Sequence, residues 1–281
     1  MPAPQRNNAL TKDDMRNLER IVRQKRETLQ NLRSGMIEGG LDKLDLTHRM
    51  DITYSSNALE GNTLTAGETV LVLEKGITIS GKPLKDHMEA VDHAQALEWV
   101  LEFAHQEPDA DITQNDIRNL HHLVVARSKP DIAGQYASGP RHVLTDDGPH
   151  HFCPSVDVPA QMTDLTDWLN QETNAGPCEK AFEAHSKFVN IHPFDDGNGR
   201  TGRLLMNLLL IRDDFPPIAI RLDERPEYIA ALQQDQKNGG TCDALAEFLY
   251  VKLDDTLDMY IEVAKEAQKA PKPVLSSGPT R

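Results

Sequence analysis

The densest chemistry in this chain lies between residues 191 and 203, which read Ile-His-Pro-Phe-Asp-Asp-Gly-Asn-Gly-Arg-Thr-Gly-Arg. Apolar residues before this stretch recur at helical spacing, and Pro193 disfavours the α conformation at His192, so a helix should end there. Residues 204 to 211 are apolar almost all round, which indicates a helix buried in the core. The stretch is therefore predicted to form a helix, a glycine loop and a buried helix.

This arrangement would suit a phosphate group. The backbone amides of Gly197, Asn198 and Gly199 open onto a helix N-terminus, and such amides form a concave site for an anion. Arg200 and Arg203 lie three residues apart and can add fork-shaped donors to phosphate oxygens.

Two further side chains point to a magnesium nucleotide as the ligand. The single carboxylate of Asp196 is too little for a calcium cage but suits Mg²⁺, which is normally shared with substrate phosphates. His192 supplies a base with a pKa near neutrality. A P-loop or a Rossmann fingerprint should follow a strand, which is not predicted here. For His192 taken alone, a satisfied helix-end histidine remains the simpler interpretation.

The whole pattern from His192 to Arg203, His-Pro-Phe-x-Asp-Gly-Asn-Gly-Arg-x-x-Arg, resembles the complete signature of the Fic (filamentation induced by cyclic AMP) family. The resemblance implies an all-α fold, a helical bundle with a small β-hairpin flap, and transfer of AMP from ATP to a protein hydroxyl. It implies that His192 deprotonates a Ser, Thr or Tyr hydroxyl of the target and that Asp196 holds Mg²⁺.

The same resemblance implies the nucleotide contacts. Asn198 and the loop amides would hold the α-phosphate, and Arg200 and Arg203 the β- and γ-phosphates. Tyr228 and Gln236 would border the adenosine, although an ordinary packed tyrosine is an equal alternative for Tyr228. The predicted nucleotide-binding residues are Gly197, Asn198, Gly199, Arg200, Thr201, Gly202, Arg203, Tyr228 and Gln236.

An upstream motif resembles the inhibitory helix of Fic proteins that carry it before the catalytic domain. Gly61 fits a helix C-terminal stop, which would leave Glu60 at the unfavourable negative end of the helix dipole. The segment Ser56-x-x-x-Glu60-Gly61 matches the inhibitory motif. By this resemblance Glu60 pairs with Arg203 and displaces the γ-phosphate, while a solvated surface acid is the plain alternative for Glu60.

A region rich in Gly, Pro, His and Asp interrupts the helices between residues 129 and 159. Its sequence resembles the β-hairpin flap with which Fic enzymes align a target segment by strand addition. Ala137 departs from the family pattern, which often has arginine there. The Asp-Gly pair in residues 145 to 148 suits a tight turn. The predicted target-docking residues are Arg141, His142, Val143 and Leu144.

Composition limits the function classes. The chain has 281 residues, a net charge of −14 and a mean hydropathy of −0.52, so nucleic acid and an anionic membrane are not expected partners. We find no apolar run long enough for a membrane span and no signal-peptide core. Three cysteines without metal spacing favour free thiols and a cytoplasmic location.

The predicted organisation has four parts. Residues 1–49 form an N-terminal helical extension, 50–250 the Fic domain with an inhibitory helix at 53–61, 251–268 the end of a C-terminal helix, and 269–281 a disordered tail. An apolar stripe in the extension from Met15 to Leu32 would pack within the chain or against a second copy in a homodimer.

The sequence therefore predicts an autoinhibited protein adenylyltransferase whose partners are ATP and a target protein. The resemblance implies removal of AMP from a target as a second activity, with Glu60 orienting water. The alternatives are a nucleotide-binding regulatory module with little turnover and a Fic enzyme that uses another nucleotide donor.

Overall fold

A computed structural model of the chain describes residues 12–36, 39–145, 148–172, 175–238 and 240–269. Residues 1–11 lie outside this described part, and so does the predicted tail at 269–281 except for Lys269, which is the last residue of α10. So do Asp146 and Asp147, which were predicted to form the hairpin turn.

The described ranges contain ten α-helices, two short 3₁₀ helices and one hairpin. The helices are α1 (Lys12–Ser34), α2 (Asp42–Leu59), α3 (Ala66–Lys75), α4 (Leu84–Gln106), α5 (Gln114–Val125), α6 (Val158–Asn170), α7 (Pro177–Ile191), α8 (Asn198–Arg212), α9 (Arg225–Lys237) and α10 (Asp243–Lys269). Strands β1 (His142–Thr145) and β2 (Gly148–His151) pair antiparallel, with His142 opposite His151.

Local sequence signals set several of these bounds. The Thr65 side chain accepts from the amide of Glu68, and the Glu68 carboxylate accepts from the amide of Thr65, which starts α3 with a capping box. Gly76 ends α3 in the left-handed conformation that glycine adopts without strain. Pro83 precedes α4, where its fixed φ angle suits a helix start.

The apolar helix α8 lies at the centre of the fold. It packs against α7, α4 and α5, and its residues from Leu204 to Leu208 are almost completely buried. Gly202 brings α7 close, because a Cβ there would lie 2.9 Å from Nδ1 of His185 and 3.0 Å from Phe188. The prediction of a buried helix after the glycine loop is confirmed.

The apolar stripe of α1 packs inside the chain, where Val22 and Leu29 are buried and α1 lies along α10.

Helix α2 begins at Asp42, so it crosses the predicted boundary at residue 50 and starts before the predicted inhibitory helix at 53. Helix α10 likewise runs through residue 250 without a break. The division into domains stays a prediction. Within the described ranges, none of the helices has the length and apolarity needed to cross a bilayer.

Candidate active site

The backbone at His192 breaks helix α7 as Pro193 predicts. His192 caps the helix with φ 53° and ψ 58°, a left-handed conformation that is uncommon for a residue other than glycine. Its amide still donates to Phe188 O at 3.0 Å. Such backbone strain is frequent at functional sites, where the surrounding structure holds it.

Buried contacts fix the loop between α7 and α8. The Asn198 side chain accepts from the Phe194 amide at 3.0 Å and donates to the Phe194 carbonyl at 2.7 Å. The Phe194 ring stacks on His121 with centroids 3.6 Å apart. His121 Nδ1 accepts from the Gly134 amide, so Nε2 carries the proton that it donates to Asp196 O at 3.0 Å. Because Asn198 is only 2% exposed, its amide group closes the loop and is not free for the α-phosphate.

The first turn of α8 carries the predicted anion site. Gly197 has φ 77°, and a Cβ on it would lie 3.1 Å from Val125, so the tight turn requires glycine. The first helical amides, from Asn198 to Arg200, have no intrahelical acceptor and lie at the positive end of the helix. These amides are free of intrahelical hydrogen bonds at the start of α8, and their role as an anion-binding nest stays a prediction.

Arg203 joins this first turn to α2. Its Nε donates to Ser56 Oγ at 3.0 Å, and its Nη2 donates to Ser56 O at 2.9 Å and to Glu60 Oε1 at 2.9 Å. Burial works against the charge on Arg203, but the neighbouring Glu60 and Tyr228 outweigh it and raise the pKa of Arg203. The structure therefore brings together Ser56, Glu60 and Arg203, which are far apart in sequence.

Glu60 also lies against the amide nest. A Cβ built on Gly199 would be 2.1 Å from Glu60 Oε1, so the carboxylate occupies the space directly beside that glycine. The unfavourable position of Glu60 at the end of α2 is thereby offset, because the carboxylate lies at the positive N-terminus of α8. Its side chain remains 38% exposed.

Arg200 points into the protein. Its side chain is 1% exposed, and its guanidinium lies 3.3 Å from Glu89 and 3.6 Å from Asp196. Glu89 in turn accepts from Asn62, which follows the Glu60 turn. The expectation that Arg200 binds the β- or γ-phosphate does not fit this placement, since the buried carboxylate of Glu89 takes the guanidinium instead.

Asp196 is the candidate metal ligand. Its Oδ1 accepts from the Gly197 amide at 2.6 Å, and its Oδ2 pairs with Lys129. Burial works against the charged carboxylate, but Lys129, Arg200 and the Gly197 amide outweigh it and lower the pKa of Asp196. In the described part of the chain no group of three or more His, Cys, Asp or Glu residues could hold a metal. This donor set fits only an ion that takes most of its ligands from a nucleotide and water.

The imidazole of His192 is covered by an aromatic ring from the end of the hairpin. Phe152 stacks on it with centroids 3.8 Å apart and planes 10° from parallel. Burial lowers the pKa of His192 to about 4, so the predicted value near neutrality is wrong for the protein without ligand. Nδ1 lies 3.4 Å from the carbonyl of Val189, which can only accept, and this favours a proton on Nδ1 with Nε2 left as acceptor.

Replacing Phe152 with alanine should raise the pKa of His192 from about 4 toward the ordinary value of about 6.5, because water then reaches the ring. The measurement is a pH titration of the imidazole by NMR, with the His192 signal assigned from its loss in His192→Ala. Phe152→Leu, which keeps an apolar cover, should give a smaller rise. A titration midpoint that stays near 4 in Phe152→Ala would show that the stacked ring does not set the pKa.

The predicted docking residues of the hairpin differ from one another in exposure. Arg141 is 8% exposed, and its guanidinium donates to Gly139 O, Ser155 Oγ and Cys153 O. It therefore ties the base of the hairpin and is not available for docking a target. His142 and Val143 are exposed, and Leu144 belongs to β1, although the position of its side chain lies outside the described part.

A cavity of about 570 Å³ lies between the end of the hairpin, α6, α7 and α9, next to the neighbours of His192. A volume of this size suits a small molecule. Gln236 lines it, whereas Tyr228 is 3% exposed and its hydroxyl lies 2.7 Å from Nε2 of His185. Tyr228 has no surface to offer an adenosine, and its contacts match the packed alternative.

Four residues that shape the site are not among the site residues that the sequence predicts. His121 holds the loop between α7 and α8, and Glu89 holds Arg200. Phe152 covers the imidazole of His192, and Lys129 pairs with Asp196. Thr201 and Gly202, expected at the nucleotide, face the core. The one sequence signal near Phe152 is that the preceding hairpin resembles the flap of Fic enzymes.

Residues 111–210 match the model of the Fic/DOC family. The chain is 37% identical over 183 residues to the protein adenylyltransferase fic-1 of Caenorhabditis briggsae, across 64% of this chain and 35% of that protein. It is 37% identical over 211 residues to the protein adenylyltransferase Fic of Nematostella vectensis, across 74% of this chain and 48% of that protein. A Fic domain containing signaling protein from Bacteroides thetaiotaomicron has a similar structure, with a TM-score of 0.81 and 31% identity over 90% of this chain and 100% of that one.

The chain therefore belongs to the Fic/DOC family. The predicted all-α fold with a small hairpin is confirmed, and so is the resemblance read from the residues between His192 and Arg203. The chain spans about a third to a half of the length of these curated relatives.

Proposed function

We propose that this chain is a protein adenylyltransferase, which moves AMP from ATP onto a Ser, Thr or Tyr hydroxyl of a target protein. The observation that carries the proposal is the loop that holds a base, His192, together with an amide nest at the N-terminus of α8. The relatives named protein adenylyltransferases support the choice of reaction.

In the proposed reaction the target hydroxyl oxygen bonds to the α-phosphorus, and the bond from that phosphorus to the bridging oxygen breaks. Nε2 of His192 takes the hydroxyl proton, and pyrophosphate leaves with the electron pair of the broken bond. The amides of α8 hold the phosphates in position. Phosphate charge near the imidazole favours its protonated form, so nucleotide binding raises the pKa of His192 toward a value that suits a base.

Magnesium belongs to the proposal through Asp196, whose carboxylate would hold an ion shared with the phosphates. When bound, such an ion neutralises charge on the leaving pyrophosphate. Gln236 in the neighbouring cavity would border the adenosine.

Autoinhibition is the third part of the proposal. The Glu60 carboxylate, 2.9 Å from Nη2 of Arg203 and beside Gly199, occupies the donors that a γ-phosphate would use. The same exposed carboxylate could orient water for removal of AMP from a modified target, which is the second candidate activity.

A regulatory module with little turnover and an enzyme for another nucleotide remain the alternatives. The target protein as partner, a homodimer and a cytoplasmic location also stay predictions.

The test uses the Glu60→Gly variant, which lacks the proposed inhibitor, with magnesium and ATP labelled in the α or the γ position. We expect covalent label on the protein from α-labelled ATP only, and a gain in intact mass equal to that of AMP less one water. α-labelled GTP, CTP and UTP should label the protein less. Label from the γ position would indicate phosphoryl transfer, and ATP binding without label on the protein or on lysate proteins would favour the regulatory module.

A further inference from the structure

Both carboxylate oxygens of Asp196 already have cationic or amide partners. Oδ1 accepts from the Gly197 amide at 2.6 Å and lies 3.6 Å from Arg200, while Oδ2 pairs with the ammonium group of Lys129. An ammonium group and a divalent cation cannot occupy the same position on one oxygen. Binding of a metal at Oδ2 therefore requires Lys129 to move.

Lys129 is placed by a firmly held segment outside the signature. Its amide donates to Val125 O at 2.8 Å, and the buried Asp92 accepts from the amides of Arg127 and Ser128 just before it. Its side chain, by contrast, is 42% exposed. The backbone thus keeps the ammonium group near Asp196, while the flexible stem lets it swing into solvent when another cation arrives.

We propose that Lys129 is a tethered cation that competes with magnesium for Asp196 Oδ2. The proposal rests on the proposed function, because it takes Asp196 as the magnesium ligand. Lys129 neutralises the carboxylate when no nucleotide is present, and it disfavours a free ion at a site with so few protein ligands. Magnesium then enters together with the nucleotide, whose phosphates supply the ligands that outweigh Lys129.

The expected change in the Mg²⁺ requirement follows from the solvent exposure of the Lys129–Asp196 ion pair. Half-exposed ion pairs are weak, so removing Lys129 should change the metal requirement by about threefold to tenfold rather than by orders of magnitude. The direction of the change is fixed, since loss of a competing cation can only lower the magnesium concentration that half-saturates ATP binding.

The experiment measures ATP binding by calorimetry at varied free Mg²⁺ in the Glu60→Gly background. Adding Lys129→Met should lower the half-saturating Mg²⁺ concentration about threefold to tenfold, with ATP binding in EDTA unchanged or weaker by less than twofold. Lys129→Arg keeps the charge and should resemble the parent. Lys265→Met, which removes an exposed lysine on α10, is the matched charge control. With Asp196→Asn present, Lys129→Met should have no effect on the Mg²⁺ requirement.

An unchanged half-saturating Mg²⁺ concentration in Lys129→Met would overturn the proposal. Weaker ATP binding both at saturating Mg²⁺ and in EDTA would also overturn it, because Lys129 would then bind phosphate directly. If the Glu60→Gly parent binds no ATP with or without Mg²⁺, the proposed function fails and this inference falls with it. Normal Mg²⁺-dependent binding by the parent and no effect of Lys129→Met would refute the inference alone.

Discussion

Replacing Glu60 with glycine should raise the rate of AMP transfer by roughly 10- to 100-fold. A hydrogen bond to a charged group contributes about 1.5–3 kcal/mol, and about 1.4 kcal/mol corresponds to a factor of ten. The variant frees Arg203 and the space beside Gly199 for the γ-phosphate. The measurement is the initial rate of labelling from α-labelled ATP.

The variant should remain folded, because Arg203 keeps its two hydrogen bonds to Ser56 when Glu60 is lost. Glu60→Gln is the matched control, since it retains the shape and an acceptor oxygen but removes the charge. Its rate should lie between those of the wild type and Glu60→Gly. Equal rates in all three proteins would show that Glu60 does not inhibit the site.

Adding His192→Ala to Glu60→Gly should lower the transfer rate by about 10²- to 10⁴-fold, the usual contribution of a positioned general base. Binding of ATP should persist, because the amide nest of α8 and Arg203 are unchanged. Labelling rates and calorimetric binding together separate loss of chemistry from loss of the nucleotide.

The control for this substitution is His105→Ala, which removes an exposed histidine at the end of α4. It should label at the rate of its Glu60→Gly parent. If His192→Ala labels as fast as its parent, His192 is not the base. If it binds no ATP, its role lies in nucleotide binding.

Features governed by neighbours in sequence could be predicted. Pro193 ends α7, the capping box of Thr65 and Glu68 starts α3, and the apolar run from Leu204 makes α8 a core helix. These outcomes follow from backbone conformation and hydrophobic burial, which depend on a few adjacent residues.

Features that depend on distant contacts could not be predicted. Arg200 looks like a phosphate ligand in sequence, yet Glu89, on another helix, holds it inside the protein. Burial lowers the pKa of His192, and part of its cover is the ring of Phe152, which lies forty positions earlier in the chain. Burial and charge partners of this kind appear only once the helices are packed.

The sequence predicts the pairing of Glu60 with Arg203 only through the resemblance of two separate motifs. The structure places their charged groups 2.9 Å apart and sets the Glu60 carboxylate beside Gly199. Under the proposed autoinhibition, the loop from His192 to Arg203 is one half of a regulated site, and α2 supplies the other half.

The most direct test of the proposed competition between Glu60 and the γ-phosphate for Arg203 is calorimetric binding of ATP and ADP to the wild type and to Glu60→Gly. If Glu60 holds Arg203 in place of the γ-phosphate, the wild type should bind ATP and ADP with similar affinity. Glu60→Gly should then favour ATP over ADP by roughly tenfold or more, the effect of one charge-assisted hydrogen bond. An ATP-to-ADP affinity ratio that is the same in both proteins would contradict the claim that Glu60 and the γ-phosphate compete for Arg203.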